Sequence, residues 1–236
     1  MKLSVLIPVY NEARTLDEVV RRVRAVPLAK EIILVDDGST DRTREILARM
    51  QKESESGADP LNQIKVFFHS ENQGKGAALK TALSHVTGEI VIVQDADLEY
   101  DPTDYPRLLE PIQAGLADVV YGTRFAGGGA HRVLFFWHSM GNRTLTLISN
   151  MLTNLNLSDM EVGYKVFRAE ALKGIELESQ RFGFEPEITM KLAKKSCRFY
   201  EVPISYHGRT YEEGKKITWK DGFAALYYMI RYRIAD

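Results

Sequence analysis

The sequence predicts an α/β fold with a largely parallel central sheet. Runs rich in β-branched residues, Leu3 to Val9 and Glu31 to Asp36, are bounded by turn-forming residues, as is typical of strands covered on both faces. Between these runs, apolar residues recur at helical spacing: Leu16, Val19, Val20 and Val23. Because strands that alternate with helices are joined by right-handed crossovers, they are expected to pair in parallel.

The same alternation continues to about residue 121. We predict, in order, a helix from near Thr40 or Asp41, a strand over Gln63 to His69, a helix over Ala77 to Val86, a strand over Glu89 to Gln94, a helix from near Pro102 and a strand over Asp118 to Tyr121.

Two short stretches are predicted to be loops. Ser54 to Asp59 is polar and rich in turn formers, so we expect a surface loop without a role in function. Gly127 to Gly129 follows the fifth strand and predicts a hinge. A mobile lid and a merely disordered loop both fit these three glycines.

Length and charge exclude several classes of protein. A chain of 236 residues supports one sizeable core, and its net charge of -1 argues against a nucleic-acid-binding surface. Cys197 is the only cysteine, and the first residues lack the pattern of a signal peptide, so we expect a reducing, cytoplasmic setting. Thr144 to Ser158 is too short and too polar to span a bilayer.

Polar clusters follow three of the predicted strands: Pro8 to Glu12, Asp36 to Asp41, and Asp95 to Glu99. Each alone has a structural explanation, since Asn11 and Asp41 suit helix caps and Asp36-Asp-Gly38 suits a tight turn. Parallel strands bring all three clusters to one edge of the sheet, where crowded carboxylates repel one another unless a cation offsets them. We therefore expect a metal and diphosphate site around Asp95-Ala96-Asp97.

The segment Asn72-Gln-Gly-Lys-Gly76 precedes a predicted helix. It is a poor match to a Walker phosphate loop, because Ala77 stands where a hydroxyl residue would contact magnesium. Lys75 nevertheless offers a positive charge to a phosphate. No two histidines stand at a convincing metal-ligand spacing, so zinc is not expected.

Together these motifs resemble the family 2 glycosyltransferases of the GT-A fold. Three later motifs resemble the branch that contains dolichol-phosphate mannose synthase and polyprenyl-phosphate sugar transferases: Tyr121 to Phe125, Asp159 to Arg168, and Gly183 to Glu187. The resemblance implies a three-layer GT-A domain over residues 1–216. Within it, residues 1–122 form the nucleotide-sugar half and residues 123–216 the acceptor half.

The resemblance also assigns roles to individual positions. Residues implied to bind the nucleotide sugar are Pro8, Tyr10, Glu12, Asp37, Asp95, Ala96 and Asp97, to which Lys75 is added as the phosphate contact noted above. Asp95 and Asp97 are implied to hold Mg²⁺ or Mn²⁺. Glu99 is expected to join them at a position where relatives often carry Gln.

The implied reaction transfers a hexose from a GDP- or UDP-sugar to a polyprenyl phosphate, with inversion. A phosphate acceptor is anionic near neutral pH and requires no strong base. Arg124, Arg143 and Arg209 are expected at its phosphate, although surface ion pairs remain alternatives for the last two. Asp159 is expected to orient the acceptor or sugar hydroxyls, or to cap a turn.

Two other functions remain open. A saccharide hydroxyl acceptor would require a general base, for which Glu187 is preferred to Glu185. A catalytically silent module would bind the sugar nucleotide without turnover.

Residues 217–236 are predicted to form an amphipathic helix. Its apolar positions are Trp219, Phe223, Leu226, Tyr227, Ile230 and Ile234, and basic residues flank them. Peripheral attachment to the inner face of the membrane and a core or homodimer contact both fit this pattern.

Overall fold

The computed structural model describes residues 1–55, 57, 59–126, 135–179, 181, 183–209 and 219–234, the side chains of residues 219–221 excepted. Within these residues one sheet contains seven strands: β1 (Leu3–Val9), β2 (Lys30–Asp36), β3 (Asn62–Phe68), β4 (Ile90–Val93), β5 (Val119–Thr123), β6 (Lys165–Arg168) and β7 (Phe199–Pro203).

The strands lie in the order β3-β2-β1-β4-β6-β5-β7. Every neighbouring pair is parallel except the two that involve β6, which pairs antiparallel with β4 and β5. The register sets Val166 opposite both Ile92 and Val120. Because β6 runs against its neighbours, its first residue lies at the edge where the parallel strands end. We call this edge the C-terminal edge.

Helices connect most of the strands. Their bounds are α1 (Leu16–Ala25), α2 (Thr43–Glu55), α3 (Lys75–Leu83), α4 (Tyr105–Gln113), α5 (Phe136–Thr153), α6 (Ala169–Leu172), α7 (Phe184–Lys194) and α8 (Trp219–Ile234), with a 3₁₀ turn over Pro102–Asp104.

The sheet is covered on both faces. All residues of β2 are buried, and successive side chains of a strand point to opposite faces, so both faces are shielded from water. The four residues of β4 are buried in the same way. This burial explains why the sequence of these strands is continuously apolar and not alternating.

The strands and helices predicted before residue 122 are confirmed, with boundaries that differ by only a few residues. The loop predicted over Ser54 to Asp59 begins later than expected, because α2 continues through Glu55. The strands β6 and β7 were not predicted. The glycine hinge predicted at Gly127 to Gly129 lies outside the described residues.

The last helix buries a different face from the one that the apolar pattern indicated. Ala225, Met229 and Tyr232 are buried, and α8 packs against α5 and α7. The predicted apolar positions that are exposed to solvent are Phe223, Tyr227, Ile230 and Ile234. Of the predicted positions, Leu226 packs against the core, whereas these four do not.

A second exposed apolar stripe lies on α5. Its members are Phe136, Trp137, Met140, Leu147 and Met151. Among the described residues, no helix combines the length and the apolar character that crossing a bilayer requires.

Candidate active site

Four loops and the start of β6 meet at the C-terminal edge. The loops follow β1, β2, β4 and β5, which end at Val9, Asp36, Val93 and Thr123. The segment from Asp159 to Gly163 arrives there because β6 is antiparallel. The site is therefore built from both halves of the chain.

The loops after β1 and β2 are tied together by hydrogen bonds. The backbone N–H of Asn11 donates to Ser39 Oγ over 2.9 Å, and the N–H of Thr40 donates to Asn11 Oδ1 over 2.8 Å. Asp41 Oδ1 accepts from the backbone N–H of Thr43, the first residue of α2, over 2.9 Å. Asp41 thus bonds the start of α2, as the capping alternative proposed, whereas Asn11 ties two loops together and does not cap a helix.

Asp37 holds the loop that precedes α3. Its carboxylate accepts hydrogen bonds from the backbone N–H groups of Gln73 (3.0 Å) and Gly74 (2.7 Å), and it lies 2.8 Å from His69 Nδ1. This buried side chain therefore fixes the residues next to Lys75. Its predicted contact with the nucleotide stays a prediction.

Lys75 connects two carboxylates from distant parts of the chain. Its Nζ lies 2.8 Å from Asp95 Oδ1 and 2.9 Å from Glu185 Oε1. Burial alone would lower the pKa of Lys75, but the two carboxylates raise it above its usual value. Burial likewise favours the neutral form of Glu185, yet Lys75 and then Lys165 hold the Glu185 pKa below its usual value. The lysine therefore carries its charge throughout the neutral range.

Asp97 lies in the most strongly repulsive part of the site. Burial raises its pKa to about 7, and the charges of Asp95 and Glu99 add to this effect. A divalent cation would offset that repulsion, since Mg²⁺ sites combine one or two carboxylates with phosphate oxygens of the substrate. The pair Asp95 and Asp97 fits this requirement. No group of three acidic, histidine or cysteine side chains converges on a common point in the described part of the chain, so substrate oxygens would have to complete the shell.

Glu99 is engaged elsewhere. Its Oε2 accepts from the Tyr206 hydroxyl and its Oε1 from the backbone N–H of Arg209, both over 2.8 Å. These bonds tie the segment after β7 to the loop after β4. The contacts favour a structural role for Glu99 over the predicted place in the metal shell, which stays a prediction.

Arg209 spans two of the loops. Its Nε donates to the Asp97 carbonyl oxygen over 2.8 Å, and its Nη2 lies 3.0 Å from Glu12 Oε2. The structure thus places Arg209 and Glu12 against the loop that carries Asp97. The expectation that Arg209 binds the acceptor phosphate stays a prediction.

Arg124 and Asp159 form a buried bidentate pair. Arg124 Nε lies 2.6 Å from Asp159 Oδ2, and Nη2 lies 2.7 Å from Oδ1. Asn142 of α5 accepts from the same Nη2 over 3.2 Å, and the guanidinium carbon lies 5.1 Å from the centre of the Tyr206 ring. Although burial opposes the charge, Asp159 raises the pKa of Arg124 well above its usual value. Asp159 therefore orients Arg124.

Two predicted residues lie apart from this cluster. Glu187 is fully buried, with its carboxylate bonded to the backbone N–H groups of Glu178 (2.7 Å) and Ser179 (2.9 Å) and paired with Lys191 at 3.0 Å. All of these partners are structural, which speaks against Glu187 as a general base. Arg143 is exposed on α5.

Pro8, Tyr10 and Ala96 complete the set of predicted nucleotide-sugar contacts. Pro8 lies opposite Val35 of β2, one residue before β1 ends at Val9, and Tyr10 follows in the loop after β1. Ala96 is buried, and its carbonyl oxygen accepts from the Thr15 hydroxyl over 2.7 Å. Their contact with a nucleotide stays a prediction.

Three residues of the site were missed or undervalued from the sequence. Glu185 is the glutamate that reaches Lys75, whereas Glu187 had been preferred. Glu161 and Lys165 lie in a motif used for the resemblance, but no role was assigned to either. The signal was present, because both are charged residues in a segment that is otherwise mostly apolar.

Gly163 explains how the two halves approach so closely. A Cβ at this position would overlap Asp95 Oδ2 and lie 2.8 Å from the Tyr100 ring. The Gly163 N–H also donates to the Tyr100 hydroxyl over 2.8 Å. The segment that precedes β6 therefore packs directly against the Asp95 carboxylate.

Comparison with known proteins identifies the family. The model of glycosyl transferase family 2 matches residues 4–175. The undecaprenyl-phosphate mannosyltransferase of Micrococcus luteus is 28% identical over 233 residues, which cover 91% of this chain and 87% of that protein. The dolichol-phosphate mannosyltransferase of Pyrococcus furiosus is 30% identical over 219 residues, covering 91% of this chain and 59% of that protein. The chain thus spans most of the first relative but well under two thirds of the second.

Solved structures confirm the expected GT-A fold. Glucosyl-3-phosphoglycerate synthase from Mycobacterium tuberculosis in complex with UDP superposes with a TM-score of 0.72 at 18% identity, covering 98% of this chain and 80% of that one. A complex of the same synthase with Mn²⁺, UDP-glucose and phosphoglyceric acid gives a TM-score of 0.71 at 19% identity, covering 98% and 79%. At this identity the likeness shows the fold alone.

The contact at Gly163 yields a testable prediction. Gly163→Ala should destabilise the protein by about 1–3 kcal/mol, because the added methyl group overlaps a carboxylate and a ring that cannot both retreat. Gly141→Ala on α5 is the matched control, since a Cβ there meets open space and alanine favours a helix by up to about 1 kcal/mol. Urea unfolding of both variants measures the difference. Equal stability of the two would show that the close approach at Gly163 is not a constraint.

Proposed function

The chain belongs to glycosyl transferase family 2, and we propose that this glycosyltransferase moves a hexose from a GDP- or UDP-sugar to a polyprenyl phosphate. The observation that carries the proposal is the meeting of two charged groups at one sheet edge. The carboxylates of Asp95 and Asp97 lie on one side, and the Arg124–Asp159 pair lies across Gly163 on the other. The first group suits a metal-bound diphosphate and the second a phosphate nucleophile.

The donor side is supported by the acids after β4. Asp95 and Asp97 would hold Mg²⁺ or Mn²⁺, which supplies neutralisation of the charge that grows on the leaving diphosphate. Lys75, held beside Asp95, adds a fixed positive charge close to the same oxygens. The solved relatives carry UDP with Mn²⁺ or with Mg²⁺, in line with this proposal for the present chain.

The acceptor side is supported by Arg124. Its planar guanidinium is held in a fixed orientation by Asp159 and Asn142, and guanidinium groups bind phosphate oxygens with well-defined geometry. A phosphate monoester is largely ionised at neutral pH and attacks the anomeric carbon in one inverting displacement without a strong base. The structural partners of Glu187 agree with a reaction that needs no base there. The names of the two relatives, both polyprenol-type phosphate mannosyltransferases, agree with this acceptor class.

The donor prediction is tested by thermal shift. GDP, UDP, GDP-mannose and UDP-glucose are added with and without Mg²⁺ or Mn²⁺, and we expect a metal-dependent rise in Tm with one nucleotide series. The rise should be larger at about pH 8 than at about pH 5.5, since a proton on Asp97, whose pKa is about 7, competes with the metal. Asp97→Asn should abolish the metal-dependent rise in Tm.

The metal-free protein supplies the control for this panel. Because the pKa of Asp97 is higher in the folded chain than its ordinary 3.8, its contribution to stability is present below about pH 4 and lost as the pH rises through about 7. Asp97→Asn should reduce this loss. A wild-type protein that binds a sugar nucleotide but turns none over would favour the silent binding module, and no metal-dependent shift at either pH would refute the metal site.

The acceptor prediction is tested at Arg124. Arg124→Lys keeps a charge beside Asp159 but loses bidentate geometry, so transfer to undecaprenyl phosphate should fall about 10²-fold while donor binding is unchanged. Arg198→Lys is the matched control, because Arg198 forms a similar bidentate pair with Asp118. Radiolabelled sugar transfer is the measurement. Efficient transfer to an alkyl glycoside with no effect of Arg124→Lys would favour the saccharide acceptor.

We further propose that the exposed stripes of α5 and α8 contact an anionic bilayer at the inner face of the membrane. The stripes contain aromatic residues such as Trp137 and Phe223, and the exposed Arg143 lies among them on α5. Aromatic rings at headgroup depth with nearby cations are typical of interfacial helices. This site would bring the chain to a lipid acceptor without a spanning helix.

Vesicle cosedimentation tests this surface. Trp137→Glu and Phe223→Glu together should reduce binding to vesicles that contain phosphatidylglycerol by about tenfold or more, because each places a charge in the apolar stripe. Leu61→Glu, an equally drastic change at an exposed leucine before β3, is the matched control. Sedimentation velocity without lipid distinguishes the alternative: a wild-type dimer that the double variant dissociates would assign the surface to a homodimer.

A further inference from the structure

Glu161 is a half-buried acid, and one of its carboxylate oxygens is buried without a hydrogen-bond partner. Its Oε1 is inaccessible to solvent and accepts no hydrogen bond. Around it lie the charges of Glu185, Lys165, Arg124 and Asp159. Burial, and after it the charge of Glu185, raises the pKa of Glu161 to about 7. An oxygen in this state costs stability unless a donor satisfies it.

The neighbouring backbone is arranged to hold this acid in place. The buried Nζ of Lys165 donates to the carbonyl oxygens of Met160 (2.8 Å) and Val162 (2.5 Å), which flank Glu161 in the sequence. Glu201 also accepts from the backbone N–H of Asp159 over 3.2 Å. The turn that presents Glu161 is therefore fixed from both ends. An unpaired carboxylate oxygen on a fixed stretch of backbone is more consistent with a binding role than with a packing role.

The chemistry of the proposed substrates limits what can satisfy Glu161. An ionised diphosphate and an ionised acceptor phosphate bring only hydrogen-bond acceptors, and a polyprenyl chain brings neither donors nor acceptors. Ribose hydroxyls are donors, but the residues expected to hold the nucleoside, Glu12 and Asp37, lie in the loops after β1 and β2. The hydroxyl groups of the transferred hexose are the remaining donors.

Glu161 also lies between the two substrate sites. Two residues further along the chain, Gly163 packs against Asp95, which is expected at the donor diphosphate. Two residues earlier, Asp159 holds Arg124, which is expected at the acceptor phosphate. In the proposed reaction the hexose passes from the first group to the second. Its ring must therefore lie close to the middle of this segment.

We propose that Glu161 binds a hydroxyl group of the transferred hexose and helps to select the sugar. This inference rests on the proposed function, because it takes the donor to be a nucleoside-diphosphate hexose. Glu161 accepts hydrogen bonds from the sugar and forms no covalent bond to it. Because hexoses differ in the orientation of single hydroxyl groups, a rigid acceptor at one of them discriminates between epimers.

The experiment measures kcat/KM for the wild-type enzyme, Glu161→Gln and Glu161→Ala. Each protein is assayed with the accepted donor and with its monodeoxy analogues. Glu161→Ala should lower kcat/KM for the intact donor about 10- to 100-fold, the range of a hydrogen bond to a charged group. Affinity for the bare nucleoside diphosphate with Mn²⁺, measured by calorimetry, should change less than about twofold. Glu161→Gln keeps one acceptor oxygen, so its kcat/KM should fall less than that of Glu161→Ala. Glu170→Ala, at an exposed glutamate paired with Lys173, is the matched control.

The deoxy analogues separate a sugar contact from a general effect. With the wild-type enzyme, one of the deoxy donors should have a kcat/KM about 10- to 100-fold lower than that of the intact donor. With Glu161→Ala, the kcat/KM for that deoxy donor should equal the kcat/KM for the intact donor, because the hydrogen bond is already lost. Removing an unpaired buried charge should leave Tm unchanged or raise it, whereas loss of a structural carboxylate would lower Tm. The inference is overturned if each deoxy donor lowers kcat/KM by the same factor in both proteins. That result is expected if Glu161 binds a water molecule and not the sugar. It is also overturned if Glu161→Ala weakens bare-nucleotide binding as much as it lowers transfer. Absence of any sugar-nucleotide turnover by the wild-type enzyme would instead refute the proposed function.

Discussion

Electrostatic repulsion among carboxylates at the C-terminal edge determines how distant segments of the chain are joined there. Acids from both halves of the chain converge there, and each cation that offsets them comes from another segment. Lys75 joins Asp95 to Glu185, and Arg209 joins Glu12 to the loop that carries Asp97. Since each of these contacts spans a large sequence separation, the interactions that close the fold also set the geometry of the site. A substitution of one cation would release two segments and not one.

The antiparallel strand β6 makes this convergence possible. In an open parallel sheet the loops that follow the strands form the ligand site. Strand β6 reverses the rule for one segment, so that the residues before it, from Asp159 to Gly163, reach the same edge. The absence of a side chain at Gly163 then lets this segment contact Asp95. The groups proposed to bind the donor diphosphate and the acceptor phosphate therefore contact the two ends of one short segment, Asp159 to Gly163.

Much of the fold could be predicted from the sequence, and the failures have physical reasons. The strands before residue 122 are buried on both faces, so their continuous apolar runs are easily recognised. Strand β7 is only partly covered and alternates irregularly, and β6 is four residues long, so neither gives a clear periodic signal. Glu161 was missed because the rule used for site residues applies to the ends of parallel strands. Asp37 and Glu99 were recognised as site residues, but their hydrogen bonds to loop backbone depend on contacts 36 and 110 residues away in sequence.

Helix α5 connects the exposed apolar stripe to the Arg124–Asp159 pair, which is proposed to bind the acceptor. Asn142 bonds both members of the Arg124–Asp159 pair, and Phe136 begins the exposed stripe six residues earlier on the same helix. At 1.5 Å per residue this separation is about 9 Å along the helix axis. A lipid whose chain lies on the stripe would therefore have to carry its phosphate only a short way inward to reach Arg124. An acceptor that was a free saccharide would gain nothing from this arrangement, because its hydroxyl groups do not require an apolar approach. The position of the stripe relative to Arg124 thus supports the proposed polyprenyl phosphate acceptor and the proposed membrane contact together.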